Sequence, residues 1–271
     1  MTPSSSSLGE SSLLLWALAA AVAWLAAHVF LGWLREAQRQ PSIRESWLAL
    51  LLAAFTLGTG ICAALVLSVA AAPLSFTPGY RLLAAPALWA GAVAAVLLPA
   101  YWLMHRQNLL AIIGCGILLG GIALAVQAGW LSAVGFRPGL RWRIDFSAGA
   151  AVLLMTGATI ALAVAFRPDE ATRKLPLWRV GSGVVLGLSL VGGQEVLTIG
   201  ASLQSQVGSV FKDQLPSAVL SLVGGVLAPL VMAVMALDLE LRRSVDKRGG
   251  HRDGAVTPTK RRRRKQRIRT L

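Results

Sequence analysis

The chain has 271 residues, of which 55% are hydrophobic and only 14% charged. An average soluble domain is about 25% charged, and a water-soluble globule of this size needs more polar surface than this chain supplies. A soluble enzyme, a secreted disulfide scaffold and a disordered protein are excluded. The net charge is +14, but 13 of the 26 basic residues lie between Arg242 and Arg269, so the basicity belongs to a tail rather than to a fold.

The apolar residues come in long uninterrupted blocks, and seven of these are predicted to span a membrane as helices: about 12–34, 46–72, 82–104, 108–133, 146–167, 177–201 and 216–240. Each has roughly 20 or more apolar-dominated residues, enough at 1.5 Å per residue to cross a hydrocarbon core of about 30 Å. Isolated strands could not cross, because their backbone groups would lack partners in lipid. The expected organisation is a short extracytoplasmic N-terminus over 1–11, a seven-span domain over 12–240 and a disordered basic cytoplasmic tail over 241–271.

No Lys or Arg precedes the first span, and its apolar run exceeds the roughly 7–15 residues of a cleaved signal core. The flanking charges alternate. One set of flanks holds Arg35, Arg39 and Arg44, then Arg106, then Arg167, Arg173, Lys174 and Arg179, then the tail; the other holds Arg81, then Arg137, Arg141 and Arg143, then Lys212. Cytoplasmic flanks carry the excess of Lys and Arg. The N-terminus is therefore expected outside and the C-terminus in the cytoplasm, across a bacterial-type inner membrane. Pro86, Pro99 and Pro229 fall within spans and read as kinks. Cys62 and Cys115 lie in apolar blocks, without metal-site or redox spacing, and read as small core residues.

The spans after the first fall into three pairs whose opening helix is rich in glycine. Gly114-x-Gly116-x-x-x-Gly120 in the fourth span recurs 67 residues later as Gly181-x-Gly183-x-x-x-Gly187 in the sixth, and the same offset places Gln127 over Gln194. The second span fits more loosely, with Gly58 over Gly120. Small residues three or four apart let helix backbones approach closely, so the glycines read as helix contacts. The expected fold is an all-α seven-transmembrane helix bundle: one leading helix plus three parallel two-helix repeats around a pseudo-threefold axis.

Residues 57–71 (LGTGICAALVLSVAA), 119–129 (LGGIALAVQAG) and 186–198 (LGLSLVGGQEVLT) carry a resemblance. One leading helix followed by three two-helix repeats resembles the MHYT family of bacterial integral-membrane sensor domains, over about residues 12–240. In that family each repeat places Met-His-Tyr-Thr-like residues near the outer membrane face, proposed to hold a metal such as copper and so to sense a gas. The matching Met-His positions here read Ala64-Leu65, Val126-Gln127 and Gly193-Gln194, followed by Val66, Ala128 and Glu195. Copper favours imidazole and thioether ligands over an amide. The resemblance thus implies a sensor or regulatory module without a metal site or cofactor. In place of the family's output modules about thirty tail residues follow, so the module is expected to act through a separate signalling protein.

Polar residues within the spans are the candidate site. Gln127, Gln194 and Glu195 lie at similar depth, with Thr198 one turn from Gln194. They read as an interhelical hydrogen-bond cluster. The alternative is a small polar pocket open to the outer face, with Glu195 accepting a proton or cation, as a small-solute or ion transporter would need. His28 in the first span lies at another depth and reads as a helix-to-helix contact. The last span has no lysine for a retinal Schiff base, and no phosphate loop, HExxH or Ser/His/Asp constellation is present. No enzyme activity is expected. Lys260, Arg261, Arg262, Arg263, Arg264 and Lys265 are expected to touch anionic lipid, each gaining about 1 kcal/mol near the surface. Nucleic acid is the weaker partner, since no aromatic residue interleaves to stack bases. Residues 136–146 (FRPGLRWRIDF) read as an ordinary loop anchored at the headgroups.

Overall fold

The structure, a computed structural model, describes residues 5–71, 79–106, 108–134, 136–137, 141–166, 176–202, 208–209 and 214–255. The helices are α1 (Ser5–Arg39), α2 (Ile43–Ala71), α3 (Ala84–His105), α4 (Leu109–Ala133), α5 (Ile144–Ala165), α6 (Pro176–Gly200), α7 (Ser217–Leu222) and α8 (Ala228–Ala255). A π-helical turn, Val223–Leu227, joins the last two. Among the described residues seven segments are long and apolar enough to cross a membrane, with limits within a few residues of those read from the sequence. The chain is a multi-pass, all-α membrane protein. It divides into two compact units, residues 1–233 and 234–271.

Within the first unit, α1 to α6 form a closed ring in which each helix packs against the next and α6 returns to α1. The three helices α2, α4 and α6 also touch one another and so make the centre. The most apolar window of α2 is 78% buried, against 17% for that of the seventh span.

One expected pairing is corrected. The seventh span does not pack along the sixth; it packs on α2 and, more lightly, on α1. Glycines show what replaces that pair. A Cβ on Gly58 would lie 2.8 Å from the Val93 Cα on α3, one on Gly120 would lie 2.5 Å from the Met155 Cα on α5, and one on Gly187 would lie 2.6 Å from the Trp24 Cα on α1. The same two seams continue one turn earlier, where Gly116 faces Thr159 and Gly183 faces His28. The glycines serve close helix approach, as their spacing predicts, but the outer partner of α6 is α1. The first and seventh helices cross in the same direction, so both satisfy the antiparallel requirement and the glycine pattern on α6 does not choose between them. Gly181 meets nothing within 4 Å and stands apart from this use.

Against α1 and α2 the seventh span lays Ala228 and Met232, packed among Ala19, Val22, Ala26, Ala63 and Leu67. Pro229 stands two residues after the end of the π turn. Proline lacks an N–H and its ring clashes with the carbonyl four residues back, so a widened turn there removes both conflicts. Gly224 and Gly225 in that turn let the helix reach Ala63 and Leu67.

The two ends of the ring are fixed differently. At one end the Arg35 guanidinium donates to the Ala165 carbonyl at 2.7 Å, and the Gln38 amide donates to Leu103 O at 3.2 Å. These carbonyls end α5 and α3, where a cation and a donor satisfy unpaired groups. At the other end, the segment between α6 and α7 is stitched three times. Ala201–Ser202 (β4) pairs with Arg141–Trp142 (β3), Gly208–Ser209 (β5) with Phe136–Arg137 (β2), and Leu215–Pro216 (β6) with Gly79–Tyr80 (β1), all antiparallel. The loops after α2, α4 and α6 thus form one cap. Residues 136–142, read as a plain loop, supply two of its strands. Arg143 closes on Asp145 at 2.7 Å and stacks over the Phe146 ring. The six basic residues Lys260 to Lys265 lie outside the described residues.

Candidate functional site

The central helices are cross-linked by two amides. Gln127 on α4 is 1% exposed, and its Nε2 donates to the Leu190 carbonyl on α6 at 3.0 Å. Gln194, 67 residues later on α6, is equally buried and donates to the Leu65 carbonyl on α2 at 3.2 Å. Leu65 is itself the residue that the glycine register places opposite Gln127. The bonds therefore run α4 to α6 to α2, and the third step of the circuit has a buried leucine where an amide would be. In an apolar medium each such bond contributes about 0.6–2 kcal/mol.

The other two predicted members do not join this layer. Thr198 Oγ1 donates to the Gln194 carbonyl on its own helix at 2.9 Å, the local back-bond typical of helical threonine. Glu195 follows Gln194 by one residue, a rotation of about 100°, and is half-buried toward α1, with the Trp16 side chain within hydrogen-bonding reach of its carboxylate. Gln127 and Gln194 are brought together at the centre; Glu195 is on the α1 seam. His28 is on that seam too, beside Gly183 and 6.1 Å from the Trp24 ring.

Beneath the cap lie groups that the sequence did not single out. Tyr80, on β1, is fully buried and meets the Trp130 ring edge-on at 5.5 Å between centroids. Among the described residues its hydroxyl has no hydrogen-bond partner, and neither does Gln127 Oε1. Burial pushes the Tyr80 hydroxyl above the ordinary phenol range. Trp130 shares a helix face with Gln127, three residues before it, and that spacing was legible. Tyr80 was not, because only the pairing with residues 215–216 carries it under the cap. A buried donor or acceptor left unpaired costs about 1–3 kcal/mol.

A copper-type centre does not fit this layer. Its side chains are two amides and a leucine, none of them a ligand that such a metal prefers. Among the described residues no group of three or more His, Cys, Asp or Glu is clustered to hold an ion. Cys62 and Cys115 are both buried free thiols. No known family model, no characterised protein and no solved structure matches this chain.

Proposed function

We propose that the chain is a non-catalytic sensor or regulatory module of a bacterial-type inner membrane, kin to the MHYT domains but without their metal. It responds to a small, uncharged, hydrogen-bonding molecule held beneath the cap and passes the response to a separate signalling protein. Three glycine-seamed units, α2 with α3, α4 with α5 and α6 with α1, surround the site. The observation that supports this reading is that Gln127 Oε1 and the Tyr80 hydroxyl, both buried, have no partner among the described residues, and that the strand paired with Gly79–Tyr80 leads into the seventh span. The charge bias of the flanks puts the cap outside and the C-terminus in the cytoplasm.

The second reading is a small-solute or ion transporter that uses Gln127, Gln194 and Glu195. The test is a thermal-shift screen of the purified protein in micelles against small neutral amides, alcohols and ureas. A compound that raises the melting temperature of the parent protein, and no longer does so in Gln127→Leu and Tyr80→Phe, supports the reading. Proton-coupled uptake into proteoliposomes, abolished by Glu195→Gln, would replace it with transport. A C-terminal tag that reacts from outside intact cells would reverse the orientation.

A further inference from the structure

We propose that the protein holds one anionic phospholipid at the cap face, in a groove between the start of α3 and the end of α4, with the phosphate on Arg81 and an acyl chain running along the helices. The groove has a volume of about 470 Å³ and is lined by Arg81, Ala84, Ala87, Leu88, Gly129 and Ser132, with Ala133 at its end. That volume is within the roughly 300–1,000 Å³ of small-molecule sites. Small residues make the space: an added Cβ on Gly129 would come within 2.9 Å of Leu88 Cδ2.

Three observations select the occupant. First, the backbone of Arg81 is fixed on both sides. Its N–H donates to Ala133 O at 3.2 Å, and its own carbonyl accepts from Ala84 N at 3.0 Å. The guanidinium therefore starts from a set point rather than a floppy loop. It is exposed and has no acidic partner among the described residues. Second, Arg81 stands three residues ahead of the span that begins at Ala84, which is headgroup depth, while Ala87 and Leu88 are a turn further into the hydrocarbon. Third, everything below the arginine is apolar or spent. The Ser132 hydroxyl already donates to Ala128 O at 2.9 Å, and the neighbouring Leu82 and Leu83 are exposed. A free phosphate would use only the arginine; a lipid uses the cation and the apolar channel together, and an arginine suits the phosphate geometrically.

The test is native mass spectrometry of the full chain released from nanodiscs of phosphatidylglycerol or phosphatidylcholine, with collisional activation that strips loosely held lipid. One tightly retained phosphatidylglycerol per chain is expected, with phosphatidylcholine retained at least tenfold less. Arg81→Gln should reduce phosphatidylglycerol retention about tenfold. Ala87→Trp, which fills an exposed stretch of the groove without touching the charge, should do the same, with an unchanged far-ultraviolet circular dichroism spectrum in both variants. Equal retention of both lipids, or of phosphatidylglycerol by Arg81→Gln, overturns the proposal. Loss in Arg81→Gln but not in Ala87→Trp, or full competition by inorganic phosphate, would leave an anion site without a lipid and overturns it as well.

Discussion

The seam between α1 and α6 can be graded along one helix, because three glycines of α6 differ only in what stands opposite them. At Gly181 an added Cβ meets nothing within 4 Å; at Gly183 it lies 3.1 Å from His28 Cα; at Gly187 it lies 2.6 Å from Trp24 Cα and 2.7 Å from Trp24 N. Alanine gains about 0.8–1.0 kcal/mol over glycine in a helix interior. Gly181→Ala should therefore stabilise by up to that amount. At Gly187 the opposing atoms are backbone, so no rotamer change relieves the clash, and the helices must part by about 0.8 Å to restore ordinary contact. Gaps of about 0.5–1 Å forfeit a quarter to a half of each neighbouring contact, and overpacking of this kind costs about 1–3 kcal/mol. After the propensity gain, Gly187→Ala should lose about 1 kcal/mol, and Gly183→Ala should be near neutral. The spread of about 2 kcal/mol is roughly a thirtyfold range in the folded-to-unfolded ratio. Reversible unfolding in mixed micelles with rising sodium dodecyl sulfate, followed by circular dichroism, measures all three. If Gly187→Ala stabilised as much as Gly181→Ala, α1 would not be the partner of α6.

The two amides should separate by the size of the loss. Gln194→Leu removes a satisfied interhelical bond and should lower stability by about 0.6–2 kcal/mol in the same assay. Gln127→Leu removes a bond of that size together with an unpartnered acceptor, and should fall within about 1 kcal/mol of the parent protein. Tyr80 makes stability sensitive to alkali. Its hydroxyl is raised in the folded state, so above about pH 10, where the unfolded phenol ionises, the folded state holds more protons and stability falls with rising pH. Unfolding measured from pH 8 to 11 should show that fall, and Tyr80→Phe should flatten it; an equal fall in both would refute the burial argument. Arg35→Gln should lose about 1 kcal/mol with the charged donor at the end of α5, and hydrogen exchange should quicken at the last turn of α5 before anywhere else.

The spans were legible because hydropathy is local: a run of apolar residues long enough for the bilayer declares itself without reference to the rest of the chain. The glycine register was legible for the same reason, and so was the burial of Gln127 and Gln194, two amides at one depth in helices with matching small-residue faces. Partner choice was not. Gly187 and Gly183 say that α6 has a smooth face, and nothing in residues 177–201 says whether the first or the seventh helix fills it. Glu195 was grouped with Gln194 by adjacency in sequence, whereas one residue along a helix turns the side chain onto another neighbour. The cap was invisible because its strands are two residues each, too short for alternation to register. Tyr80 went unnoticed with it.

What the sequence left open is also what bears on function. A bundle closed by six helices leaves the seventh free of any structural duty inside the ring. Among the described residues its contacts with α1 and α2 include Gly224, Gly225, Ala228 and Met232, while Leu222, Val226, Leu227 and Leu230 stay exposed. Its N-terminal lead, Leu215–Pro216, is hydrogen-bonded to the Gly79–Tyr80 strand that carries the buried phenol. Tyr80 is therefore tied through its strand to the start of the seventh span, while the amide bonds join α4, α6 and α2 at the centre. The seventh helix thus differs from the other six in how little of it is covered by the rest of the protein.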